Sequence, residues 1–429
     1  MIPQFLIGAL ASGSGKTTFT VGLLRALKRK GLSVQPFKCG PDYIDPMFHT
    51  CASGCDSVNL DSWLAQDIGR IYSRYGAGAD VCVTEGVMGL FDGYDRMEGS
   101  SAELALMLGI PIVLVVGSKS TAYTVAAQLH GMKTFVPGIK IAGVVFNQVA
   151  SERHKRLLLQ AAEDAGLTCF GCLPRVENLE IPSRHLGLTI AKHAEMEAWI
   201  SRAADIVEAN VDIDALLKAC ESPFEAFSTE PAFAKGEMRI SVARDEAFNF
   251  TYCENLAKLE QYGVVTYFSP LGGDGLPETD LLYLPGGYPE LYAEQLSQNK
   301  RLMSQIAGYA ANGGRILAEC GGMIYLTRAL TDADGIRHEM CGVLPLETTM
   351  QGAHLHLGYR KVTLPSGEVF CGHEFHYSEV IDPESLPSVA EQHDVRGNRV
   401  STPLYRLNNV IAGYTHLYWA DNDLLKLWD

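Results

Sequence analysis

Two stretches of this chain combine residue types and spacings that could do chemistry. In Ser12-Gly13-Ser14-Gly15-Lys16-Thr17-Thr18 an apolar run gives way to a helical pattern through a turn of small residues. Such a turn lets consecutive backbone N–H groups wrap a phosphate at a helix N-terminus, with Lys16 reaching the outer phosphates and the Thr17 hydroxyl placed to ligate Mg²⁺. A turn that merely capped a helix would not require Gly-Lys-Thr. In Ala318-Glu319-Cys320-Gly321-Gly322-Met323 a cysteine stands between an apolar strand and a Gly-Gly turn that leads into a helix. That is the layout of a nucleophile elbow. The strained turn exposes the sulfur, the helix N-terminus favours thiolate, and neighbouring N–H groups, Gly321 among them, can hold an oxyanion. A second pair in Leu284-Pro285-Gly286-Gly287 offers Gly287 as another oxyanion donor.

An elbow cysteine needs a base remote in sequence and near in space. His416, close to the C-terminus, fits that chain order, and His373 and His376 compete with it. Around the phosphate loop, acidic residues stand at expected strand ends, where doubly wound sheets bind ligands. Val81-Cys82-Val83-Thr84-Glu85 would end a buried strand on a charge, so Glu85 is the first Mg²⁺ ligand beside Thr17, with Asp42 or Asp45 next. For Asp42, Asp45 and Asp92 a turn or cap role is an equal reading. Asn147 closes a strand where nucleotide-binding domains read the base; capping the next helix is the alternative. Lys38 meets a phosphate or a substrate carboxylate, or is simply solvated. Cys169 and Cys172, and the cysteines between residues 49 and 55, lack a matching second pair and read as packing residues rather than zinc ligands.

These groups must be positioned by regular elements, and the pattern supplies them. With 429 residues the chain exceeds one ordinary core. Up to residue 222, short β-branched runs apolar on both faces alternate with helical stretches, which predicts a doubly wound parallel sheet. Residues 223–236 lose the periodicity and read as a linker. From 237 to 429 the strand-helix rhythm resumes, so a second α/β domain is expected. A net charge of −15 argues against a nucleic-acid partner. Eleven cysteines, an odd number, with no cleavable leader, fit a reducing cytoplasm better than a disulfide framework. No run reaches the length needed to span a bilayer.

The usual first glycine of the phosphate loop is Leu10 here, so the loop resembles the variant form of the dethiobiotin synthetase-like ATPases. Together with GPDYIDPMFH, EGVMGLFDG, ARDEAFNFTY, PGGYPE, ECGGM, GHEFHYSE and the terminal THLYW, it makes nearly the whole chain resemble the cobyrinate a,c-diamide synthase family of cobalamin biosynthesis. That resemblance implies a variant P-loop ATPase domain joined to a class I glutamine amidotransferase domain. It implies Cys320 as glutaminase nucleophile and His416 as its activator. Ser12 to Thr18 and Asn147 would then bind ATP, and Asp42, Tyr43, Ile44, Asp45, Glu85 and Asp92 fall in loops concerned with ATP, Mg²⁺ and substrate. The implied reaction amidates the a and c acetates of cobyrinate with two glutamines and two ATP, and ammonia is expected to travel through a closed interdomain passage. The familiar glutaminase triad adds a Glu two residues after the His, but that position is Tyr418, which leaves a Cys–His dyad and an orienting group still to be found. A homodimer is expected from the family alone. Hydrogenobyrinate or nickel-sirohydrochlorin are rival substrates within the class, cobyrate synthase fits the KCGPDYIDP and GLFDG loops less well, and a nucleotide switch with a silent second domain is the rival outside it.

Overall fold

The computed structural model describes residues 1–176, 179, 190–225, 236–381 and 386–429, with the backbone alone for 190–193. The chain divides into two compact units, on either side of residues 226–235. Most of the expected linker lies outside the described residues. Its start does not behave as a linker, because Gln4 Nε2 donates to the Pro223 carbonyl at 2.8 Å and the Phe224 ring lies 5.9 Å from that of Tyr72.

In the first unit seven parallel strands run β1 (Ile2–Ala9), β2 (Val34–Cys39), β3 (Val58–Leu60), β4 (Val81–Glu85), β5 (Ile112–Gly117), β6 (Ile141–Val149) and β7 (Cys169–Pro174). Their spatial order is β3-β2-β4-β1-β5-β6-β7, and Glu221–Ser222 adds an antiparallel pair to β1. The order reverses at β1, so the loops leaving β1, β2 and β4 converge at one carboxyl edge, the position where such sheets hold ligands. Helices α1 (Lys16–Arg29), α2 (Ile44–Ser53), α3 (Ile68–Gly76), α4 (Ser101–Leu108), α5 (Val125–Thr134), α6 (Glu152–Asp164) and α7 (Ile190–Asn210) connect or cover the strands. The strands read as continuous apolar runs because both faces are covered: Phe5, Leu6, Ile7, Val113, Leu114 and Val115 have no exposed surface.

The second unit is built on a sheet of β8 (Met238–Ala243), β9 (Gly263–Phe268), β10 (Leu281–Leu284) and β11 (Arg315–Glu319), with α8 (Cys253–Tyr262), α9 (Lys300–Ala311) and α10 (Gly321–Leu326). Helix α8 starts only at Cys253, because Phe250 makes a bridge to Gly286. Then follow β12 (His356–Thr363), β13 (Val369–His376), β14 (Leu404–Leu407), β15 (Val410–Gly413) and β16 (Thr415–Tyr418). The main sheet runs β9-β8-β10-β11-β15-β14, parallel except for β14. A second, antiparallel sheet ends in β12-β13-β16. The strand-rich character of the C-terminal stretch is this second sheet together with a smaller one of four short strands.

Helix α1 packs closely on α7 at Gly22, where an added Cβ would stand 2.7 Å from the Ala203 carbonyl oxygen. Alanine is the better helix former by about 1 kcal/mol. Even so, Gly22→Ala is expected to destabilise the first unit by about 1–3 kcal/mol, because a backbone atom cannot move aside as a side chain can. Urea unfolding followed through the buried Trp199 of α7 checks this.

Candidate functional site

The nucleotide-type site lies in the first unit. Gly15, in the left-handed region at φ 92°, is the N-cap of α1, and a Cβ there would sit 2.1 Å from Asn147 Nδ2. Only glycine serves at that point. Asn147 in turn donates to the Ser14 carbonyl at 3.0 Å, which ties the end of β6 to the loop after β1. It does not cap the next helix; Ser151 does, accepting from the His154 N–H. A cavity of about 750 Å³ opens here, lined by Ser12, Gly13, Gly15, Lys16, Thr17, Thr18, Lys38, Asp42, Asp45, Glu85 and Asn147 among others. Ser14 turns its hydroxyl back to the Ala11 carbonyl at 2.8 Å. Lys119 and Arg175 also line the cavity, and no motif pointed to them.

The acidic cluster is built by strand register. Lys38 on β2 stands opposite Glu85 on β4, so both side chains emerge at the same edge of the sheet. Lys38 is not solvated. It is buried, and its ammonium bonds Asp45 and Glu85 and lies 3.6 Å from Asp42. Glu85 is buried with three partners: the Thr17 hydroxyl at 2.7 Å, His49 Nε2 at 2.7 Å and Lys38 at 3.2 Å. Burial alone would raise the Glu85 pKa, but the Lys38 charge and the His49 and Thr17 hydrogen bonds win and hold it well below the usual carboxylate range. Asp45 goes the other way. Burial, with Asp42 and Glu85 adding to it against the pull of Lys38, lifts its pKa to about 7. Burial and Lys38 likewise lower the Lys16 pKa, and its ammonium donates to the Met88 carbonyl.

Asp42 caps α2, its Oδ1 accepting from the N–H groups of Ile44 and Asp45 at 2.8 and 3.1 Å, while still lining the cavity. The cap reading of Asp42 is thus seen directly, with its side chain also at the cavity wall. Asp92 closes a turn on the Gly89 N–H at 3.0 Å, and it does not line the cavity, nor do Tyr43 and Ile44. His49 was not singled out from the sequence. Its place four residues after Asp45, one turn further along α2, was the available signal. The donors suit a hard cation: Thr17 Oγ1 lies 2.7 Å from a Glu85 oxygen and 3.4 Å from an Asp45 oxygen. Asp42, Asp45 and Glu85 face the ammonium groups of Lys38 and Lys16, which leaves negative charge for a divalent ion to balance.

The cysteine site lies in the second unit. Cys320 ends β11 at φ 46°, a strained conformation for a non-glycine residue, and its N–H donates to the Gly413 carbonyl at 2.7 Å. A Cβ on Gly322 would meet the Leu284 carbonyl at 2.0 Å, and one on Gly321 would lie 3.0 Å from the Gly287 nitrogen. The two Gly-Gly turns therefore interlock, and the Gly287 and Gly321 backbones come together. His416 on β16 is buried against Gly286, where a Cβ would strike its ring at 2.1 Å. Cys320 Sγ lies 3.6 Å from the Phe375 carbonyl, and His416 is also hydrogen-bonded to the Phe375 backbone, so the two candidates share one neighbour. His376 is committed elsewhere, to Glu374 Oε1 and the Ser378 carbonyl, each at 2.8 Å. His373 is the cross-strand partner of His416.

Burial lowers the His416 pKa to about 3, with His373 and His376 adding to the effect. It pushes the Cys320 thiol up, and the carboxyl of Glu290 pushes the same way. The thiolate expected from the helix terminus is thus not the resting form. Burial outweighs one short helix and favours the neutral thiol and the neutral imidazole alike.

A match to the CobQ/CobB/MinD/ParA nucleotide binding domain covers residues 5–188, and one to the CobB/CobQ-like glutamine amidotransferase domain covers residues 239–424. The chain is 41% identical over 425 residues to a hydrogenobyrinate a,c-diamide synthase of Brucella anthropi, spanning 96% of this chain and 98% of that one. It is 42% identical to the protein of the same name from Rhodobacter capsulatus, over 96% and 97% of the two chains. To a cobyrinate a,c-diamide synthase of Picrophilus torridus it is 38% identical, over 98% and 96%. Among solved structures, chloroplast FtsY from Physcomitrella patens gives a TM-score of 0.31 at 12% identity, covering 47% of this chain and 65% of that one, too slight a likeness to argue from. Among the described residues no helix is long and apolar enough to cross a membrane.

A carboxyl with a raised pKa is fully ionised only above that value, so Asp45 would offer a divalent cation a carboxylate above about pH 7 and a neutral acid below it. The affinity for magnesium nucleotide is expected to fall several-fold from about pH 8 to about pH 6. Asp45→Asn should weaken binding at both values and flatten the difference, as read by isothermal titration.

Proposed function

The chain belongs to the family of cobyrinate and hydrogenobyrinate a,c-diamide synthases, glutamine-hydrolysing amidotransferase ligases with a nucleotide-binding domain, and on that premise we propose that it converts the a and c acetates of cobyrinate to amides in cytoplasmic cobalamin biosynthesis. The observation that carries the reading is the presence in one chain of a buried carboxylate and lysine cluster at a phosphate loop and of an elbow cysteine with a buried histidine.

A carboxylate is a poor electrophile at neutral pH. Transfer of the ATP γ-phosphoryl group to an acetate oxygen, with ADP leaving, gives an acyl phosphate; ammonia attacks its carbonyl carbon and phosphate departs. The N–H groups of Ser12 to Thr18 and the Lys16 ammonium would hold the phosphates. Thr17, Glu85 and Asp45 would hold Mg²⁺, which supplies neutralisation of phosphate charge. Lys38 fixes the two acids in place. In the second unit, His416 takes the Cys320 proton as sulfur attacks the glutamine amide carbon, and the Gly287 and Gly321 N–H groups meet the oxyanion. The imidazolium returns the proton to the departing ammonia, and water hydrolyses the thioester to glutamate. Hydrogenobyrinate is a second reading, favoured because the relatives at 40–42% identity bear that name.

With MgATP, glutamine and cobyrinate, the purified protein is expected to release two ADP and two glutamate for each diamidated product, read by coupled assay and mass spectrometry. Cys320→Ala should lower the glutamine-driven rate by at least about 10³-fold and keep synthesis driven by ammonium at high pH. Glutamine-independent ATP turnover with an unchanged tetrapyrrole would sink the synthase reading, and exchange of the corrin for its metal-free form separates the two substrates.

A further inference from the structure

We propose that Glu319, the residue before the nucleophile, is the positioning residue that sets His416 against Cys320, in place of the glutamate that Tyr418 displaces. The inference rests on the assignment of Cys320 and His416 made above.

The strand that carries the histidine is held in an unusual way. On one edge β16 pairs with β13, with His416 opposite His373. Among the described residues its other edge meets no strand, because β16 ends its sheet. Alternate residues of a strand turn their backbone polar groups to opposite edges, and buried polar groups must find partners. On this edge the partners are buried side chains. Glu319 Oε1 accepts the Leu417 N–H at 3.0 Å. Asn255 donates to the Leu417 carbonyl at 2.8 Å and accepts the Trp419 N–H at 2.9 Å.

Leu417 follows His416 and Glu319 precedes Cys320, so a single hydrogen bond joins the residues adjacent to nucleophile and base. The far end of the carboxyl is fixed as well, with Tyr283 Oη 2.8 Å from Oε2. Burial lifts the Glu319 pKa to about 8, so at neutral pH the group is mostly the neutral acid, whose shape glutamine reproduces. The other buried acid near His416, Glu374, is taken up by Arg360, Thr402 and His376. It is not free to orient the base. Misplacing reacting groups by about 1 Å can cost ~10²-fold in rate, which sets the scale of the effect.

The test compares Glu319→Ala, Glu319→Gln and His416→Ala in glutaminase and ammonium-driven assays on the full chain. For Glu319→Ala the glutaminase kcat is expected to fall about 10²-fold with glutamine KM within about twofold, and the pH profile of Cys320 alkylation to shift. The ammonium-driven rate should stay within about twofold of the native value, which shows the chain still folds. Glu319→Gln should recover kcat to within about threefold. The inference is overturned if Glu319→Ala keeps its glutaminase kcat, if Glu319→Gln is as impaired as the alanine variant, or if the ammonium-driven rate falls in parallel. Undiminished glutaminase activity in His416→Ala would instead remove the premise.

Discussion

A buried charge must be matched where it lies, and in the first unit that requirement organises the whole ligand edge. An ammonium in a protein interior is tolerable only when paired and hydrogen-bonded. Lys38 meets this condition through Asp42 and Asp45 at the start of α2 and Glu85 at the end of β4. The register of β2 on β4, the cap that starts α2 and the reach of Thr17 from α1 are therefore parts of one arrangement. Moving any of them would leave a charge unmatched in a dry site. The opposed shifts of Glu85 and Asp45 follow, since the acids share one lysine and Glu85 has short hydrogen bonds to His49 and Thr17 besides.

The second unit depends on a different constraint, the absence of side chains. Gly286, Gly287, Gly321 and Gly322 each stand where a Cβ would collide with a ring or with backbone. Their bareness lets two turns interlock, and the imidazole is pressed against one of them. The sulfur and the imidazole are both neutral because they are dry.

The sequence made some of this legible for clear physical reasons. Alternation of apolar runs and helical stretches marks a doubly wound sheet because both of its faces are covered, and the first unit holds a parallel sheet of that kind. Gly-Lys-Thr and Cys-Gly-Gly were readable because few other residues can make a phosphate loop or an elbow. Thr17, Lys16 and Cys320 stood out by type and spacing, His416 was one of three histidines that the chain order allowed, and Leu10 at the usual first glycine marked the variant loop.

Other features are tertiary by nature. Lys38 could be read from sequence as solvated, and only strand register turns it inward towards Glu85. Asn147 could be read as a cap, and only the approach of β6 to Gly15 ties it to the loop. Three histidines competed as base until hydrogen bonds committed His376 to Glu374. The tie from Glu319 to Leu417 spans 98 residues of chain, which no local pattern shows. Residue type and local spacing determine what a group can do chemically, whereas its protonation and its partners depend on burial and on contacts between distant segments, and these exist only once the chain has folded.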